Sequence, residues 1–94
     1  MTLVWFRRAV HDLEALRAHI TQENPTAAEH VGVRIERAVS LLAAQPGMGR
    51  PGRIPGTREL VVSGTPYIVP YRVRGQKIEI LRVFHTARKW PSRL

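Results

Sequence analysis

From residue 58 onward the chain runs in short strand-like segments: RELVV at 58–62, YIVPYRV at 67–73 and KIEILRVF at 77–84. Only Ser63-Gly64-Thr65-Pro66 and Arg74-Gly75-Gln76 separate them. Parallel neighbours need a crossover of about a dozen residues or more, so connectors this short leave an antiparallel meander of three strands. The last run is apolar on both faces, Ile78, Ile80 and Phe84 on one and Leu81 and Val83 on the other, which predicts a central strand covered on at least one side. Pro70 dissents. Without an N–H it requires either a bulge or an edge position in its strand.

The first half supplies the cover. TLVWF at 2–6 is β-branched and aromatic and reads as a short first strand. The period then changes: Val10, Leu13, Leu16 or Arg17, and Ile20 recur at helical spacing, predicting an amphipathic helix over 7–22. Asn24-Pro25 is a capping residue followed by proline at the first helical position, and Ala28, Val31, Ile35, Ala38 and Leu42 continue a helical seam to about residue 44. Gln45-Pro46-Gly47 ends it. Two helices so joined form a hairpin. The expected fold is therefore α+β: an N-terminal strand, a two-helix hairpin and a three-stranded antiparallel meander in one small sheet, a single domain over 1–94. Between the halves, QPGMGRPGRIPGT at 45–57 has no periodicity of either kind and brings Arg50 and Arg53 into a long connection, either a functional loop or a crossover linker.

Composition narrows the function classes. No window approaches the length of a membrane span, and MTLVWFRR places its charges after the apolar run, the reverse of a secretory signal, so a cytoplasmic protein without a membrane partner is expected. With no cysteine, disulfides, thiolate metal sites and cysteine nucleophiles are excluded. Fifteen Lys and Arg against seven Asp and Glu leave a net charge of +8, mostly from arginine, which predicts an anionic partner such as a nucleic acid or an acidic protein.

Familiar catalytic signatures are missing: no phosphate-binding glycine loop, no GxSxG, no paired metal-ligating histidines and no dinucleotide fingerprint, so neither a metal nor a cofactor is expected. His11 and His19 read as solvated helix residues. His85 differs, because it ends a predicted strand and Arg88, Lys89 and Trp90 follow at once. A histidine there can act as general acid or base, cations can stabilise a pentacovalent phosphate and an indole can stack on a base, which is what RNA cleavage by a 2′-hydroxyl requires. The alternative is a solvated basic end whose Trp90 covers the sheet. Arg72 and Arg82 interrupt apolar strands, either lining a basic surface with Arg58 or pairing with Glu59 and Glu79 across the strands.

Taken in order, AVHDLEALRAHI, PGMGRP, the arginine of PGTREL, YIVPYRV and IEILRVFHTAR resemble the RelE/ParE superfamily of toxins from bacterial type II toxin–antitoxin systems over nearly the whole chain. The resemblance implies a growth-arresting toxin and a cognate antitoxin covering its basic surface, with operator DNA bound only through that complex. The superfamily divides: RelE-like members cut mRNA on the ribosome, and ParE-like members poison DNA gyrase. Where the nucleases carry strand lysines this chain has Glu59 and Val61, Ile68 replaces an arginine, and no tyrosine follows Tyr71. Some family nucleases use a terminal histidine with a glutamate and arginines, a set that His85, Arg88, Arg58, Arg82 and Glu59 could supply. PGMG, the apolar third strand and the ending of this chain resemble ParE-like members more, implying a gyrase-directed surface that includes Arg50, Arg53, Arg72, Lys89 and Trp90.

Overall fold

A computed structural model describes residues 1–94. Strand β1 spans Thr2–Trp5, helix α1 Arg7–Glu23 and helix α2 Pro25–Ser40, followed by a 3-10 turn at Leu41–Ala43. Strands β2 (Arg50–Pro51), β3 (Arg58–Val62), β4 (Tyr67–Arg74), β5 (Lys77–Ile80) and β6 (Phe84–His85) complete the chain. The sheet order is β1-β5-β4-β3-β2, with β6 also pairing β4.

The predicted meander is present: β3 pairs β4 and β4 pairs β5, all antiparallel. At its hairpin Gly75 has φ +56° and Gln76 a negative φ, the pattern of a type II′ turn that only glycine adopts without strain. The sheet is mixed rather than purely antiparallel, because β1 lies parallel against β5 with Thr2 opposite Lys77 and Trp5 opposite Ile80. Two helices separate β1 from the meander, which allows that crossover.

Asn24 caps α2 as expected. Its side-chain oxygen accepts from the Ala27 N–H at 3.0 Å, with Pro25 in the first turn. The α2 helix stops at Ser40, short of the expected residue 44, and the 3-10 turn carries Leu42 into the core. The buried stripe of α1 is Ala9, Leu13 and Leu16, with Ile20 at its margin, whereas Val10 lies beside the stripe and is exposed. These residues meet Ile35 and Val39 of α2 and the inward positions of the sheet, Leu60, Val62, Tyr67, Val69, Tyr71, Ile78 and Ile80, in one core. Gly32 sits where α2 approaches α1, and the Arg17 guanidinium lies over it, 2.1 Å from where a Cβ would stand, so a larger residue there would displace that side chain.

The final strand is not one strand but two. Tyr71 pairs with Ile80, but Ile68 pairs with Phe84, so three residues of this edge (81–83) face two of β4: a bulge. Pro70 lies opposite it. The Leu81 N–H donates to the Pro70 carbonyl at 3.0 Å, and proline has no N–H to return the second bond of the pair. The ladder therefore breaks, on the partner strand rather than on β4, and the strand stays interior. The long loop is also partly ordered as sheet: Arg50 pairs with Glu59 and Pro51 with Arg58.

Candidate functional site

Strand alternation assigns the candidate residues to two faces. Leu60, Val62, Tyr67, Val69 and Tyr71 point to the helices, so Arg58, and His85 opposite Tyr67, share that side. Glu59, Ile68, Pro70, Arg72, Glu79 and Phe84 point to the other face, away from the helices.

That outer face is roofed by the 50–57 loop and the C-terminal tail. Glu59 is only 2% exposed and holds the loop: its carboxylate accepts from Arg50 Nη2 at 3.1 Å, from Arg53 Nε at 3.1 Å and from the Arg53 backbone N–H at 2.8 Å. Burial alone raises the pKa of this carboxyl, but the hydrogen bonds from the Arg53 side chain and N–H and from Arg50 outweigh it and hold it below the ordinary range. The Arg53 guanidinium in turn lies 3.6 Å from the ring centre of Trp90, and Trp90 packs edge-on against Phe84 with centroids 4.9 Å apart. Arg82 and Arg88 flank the Phe84 ring at 4.6 and 4.7 Å. Loop, β3, β6 and tail are thus linked by one chain of ion pairs and ring contacts, and Trp90 covers the sheet.

On the helix side Tyr71 pins the start of the loop. Its hydroxyl donates to the Pro46 carbonyl at 2.7 Å and accepts from the Gly49 N–H at 2.9 Å. A Cβ on Gly49 would stand 2.7 Å from this ring, which explains the second glycine of PGMG. Burial raises the Tyr71 pKa, partly offset by the Gly49 N–H and the Arg58 charge. Arg58 closes the same loop by donating to the Gly49 carbonyl at 2.8 Å.

The remaining candidates are placed as follows. Arg72 pairs with Glu79 directly across β4 and β5, as one sequence reading had it. Arg82 takes neither strand glutamate: it pairs with Asp12 of α1, Nε to Oδ2 at 2.7 Å and Nη2 to Oδ1 at 3.0 Å. The same carboxylate accepts the Val83 N–H at 2.9 Å, an amide released by the bulge. Nδ1 of His85 accepts the Ala87 N–H at 3.0 Å and its ring meets Tyr67 edge-on, so the side chain shapes the turn that ends β6. Lys89 is exposed and makes no ion pair. Of the five residues considered for nuclease chemistry, Arg82 and Arg88 come together on Phe84. His85 and Arg58 lie on the opposite side of the sheet from Glu59, whose carboxylate is occupied by two arginines.

A groove of about 540 Å³ remains beside the roof, between Phe6, the Ile54–Thr57 segment, Arg72, Leu81 and the tail at Arg93. Sequence reasoning missed Tyr71 as the loop anchor and Asp12 as the partner of Arg82. Asp12 precedes Arg82 by 70 residues, and no local pattern marks such a pair.

Comparisons with known proteins agree with this architecture. The sequence model of the ParE toxin family of type II toxin–antitoxin systems, parDE, matches residues 3–90. Toxin Y4kP of Sinorhizobium fredii is 47% identical over 88 residues, covering 94% of this chain and 91% of that protein. Toxin RelE2 of Caulobacter vibrioides is 40% identical over 86 residues, covering 92% and 96%. Among solved structures, the chromosomal ParDE system from P. aeruginosa superposes with a TM-score of 0.83 at 36% identity, covering 90% of this chain and 95% of that one. The RelBE2 toxin–antitoxin complex from Mycobacterium tuberculosis gives a TM-score of 0.62 at 29% identity, covering 89% and 95%. The chain belongs to the ParE toxin family within the RelE/ParE superfamily, and it is the toxin of a type II toxin–antitoxin system.

Proposed function

We propose that this toxin arrests growth by binding and inhibiting DNA gyrase, and that a cognate antitoxin neutralises it by covering the basic surface of the sheet and tail. The observation that carries the reading is the division of the acid–base candidates: His85 and Arg58 lie on the helix side, Glu59 on the roofed outer face. General acid–base cleavage needs its groups within hydrogen-bond reach of one phosphate, whereas inhibition by binding needs only a rigid, charged surface. The Arg53–Trp90–Phe84 stack and the Glu59 clamp give the outer face that rigidity. The solved ParDE and RelBE2 systems support an antitoxin partner, and the +8 charge suits an acidic one.

The second reading, a metal-independent, ribosome-dependent mRNA endoribonuclease, is favoured by the convergence of Arg82 and Arg88 on one ring and by the similarity to the RelE2 toxin. Controlled expression separates the two. Gyrase-dependent DNA breaks with intact mRNA are expected; mRNA cut in the ribosomal A site without DNA damage would replace the first reading with the second.

A further inference from the structure

The first turn of α1 carries more positive charge than the fold requires. Arg7 and Arg8 follow Phe6, the helix has no side-chain cap and no acidic residue in its first turn, and the helix dipole already places positive charge there. Two guanidiniums at that end oppose the dipole. Facing them are Arg82 from the bulge and Arg88 and Arg93 from the tail, and with His11 these arginines line an open cleft of about 560 Å³ that contains no hydrophobic residue.

The one acid in the cleft is already engaged. Asp12 is satisfied by both Arg82 contacts and by the Val83 N–H. Arg7, Arg8, Arg88 and Arg93 take part in none of the molecule's six ion pairs, and all four are exposed. Arg8 makes one weak contact, 3.3 Å to the Leu94 carbonyl. Four arginines outside any side-chain ion pair are therefore gathered from two ends of the sequence, an arrangement that costs stability. The Phe84 ring beside Arg88 and the Leu94 oxygen beside Arg8 do not neutralise that charge with a side-chain acid.

We propose that this cleft binds the phosphodiester backbone of a nucleic acid. Protein partners anchor through buried apolar or aromatic residues, and the cleft offers none, since Phe84 and Trp90 nearby are already packed together. Phosphate recognition needs only guanidiniums and free amides, and since Val10 is the first amide to bond back to the start of α1, those of Arg7 and Arg8 at the cleft are left without a helical acceptor. A free nucleotide is disfavoured because no apolar wall receives its base, which leaves the backbone of a longer strand. The site is independent of which target the toxin inhibits, and it goes beyond binding operator DNA through an antitoxin.

The test is fluorescence anisotropy of a labelled single-stranded oligodeoxynucleotide with the purified toxin. The double variant Arg7→Ala, Arg8→Ala should bind about tenfold more weakly or worse, and the slope of log affinity against log salt should shrink by about 1.4, two single-strand phosphate contacts. The double variant Arg37→Ala, Lys77→Ala removes the same charge from exposed positions outside the cleft and should change binding less than about twofold. Equal losses in both doubles, or none in the first, overturn the proposal. So does displacement of the oligonucleotide by polyglutamate as efficiently as by inorganic tripolyphosphate at equal charge. If the Arg7, Arg8 double fails to fold, Arg93→Ala carries the test: about threefold weaker binding supports the site, and unchanged binding overturns it.

Discussion

Tyr71 shows how much one residue fixes. It is fully buried, yet its hydroxyl satisfies both the Gly49 N–H and the Pro46 carbonyl at the point where the helical half passes into the loop. Tyr71→Phe should leave the ring packed and strand both backbone groups, costing about 1–3 kcal/mol in urea unfolding; a loss under about 0.5 kcal/mol would mean that water replaces the hydroxyl. Glu59 acts similarly on the other face, as a buried charge made tolerable by two arginines. Glu59→Gln should cost about 1–3 kcal/mol at neutral pH. The pH dependence has a definite sign. The folded carboxyl binds protons less readily than the unfolded one, so its stabilisation is complete above the ordinary glutamate range and is lost as pH falls below it. The stability gap between wild type and Glu59→Gln should therefore close in acid, and a gap independent of pH would rule out this role. Neither residue announces its task in the sequence. Glu59 read as a candidate catalytic group only through the resemblance to nucleases that use a glutamate, and otherwise as a cross-strand partner of Arg72 or Arg82, but what neutralises it depends on a loop without periodicity.

Among the elements, the helices and the meander were legible because hydrophobic period and turn chemistry are local. The boundary errors also have physical causes. KIEILRVF has no break of its own, and the interruption at 81–83 comes from its neighbour, where Pro70 cannot return a hydrogen bond. The bulge releases the Val83 amide and turns Arg82 out of the strand, and Asp12 of α1 receives both. Asp12→Ala should thus cost more than a surface ion pair, about 2–3 kcal/mol, because Asp12 and Arg82 are each nearly nine-tenths buried and a backbone donor is orphaned as well. Native-state hydrogen exchange checks the mechanism: the Val83 amide should lose protection far more than those of β3. Equal change across the sheet would indicate general destabilisation instead.

For the molecule as a whole, charge is the dominant property. A chain of net charge +8 with four of its unpaired arginines, Arg7, Arg8, Arg88 and Arg93, gathered on one side should meet an acidic antitoxin faster than an uncharged surface of the same shape would. Stopped-flow measurements should show the association rate falling steeply with added salt while the dissociation rate changes little; the reverse pattern would place the affinity in apolar contacts. The fold class, the helix cap at Asn24, the three-strand meander and the basic character could all be read from residues close together in the chain, since period, capping and turn preference act over only a few positions. The parallel placement of β1, the split of the last strand, the Asp12–Arg82 pair, the Glu59 clamp and the division of the histidine from the glutamate could not. Each joins residues far apart in sequence or depends on which face of the sheet a side chain occupies, and those relations exist only once the strands have found their register.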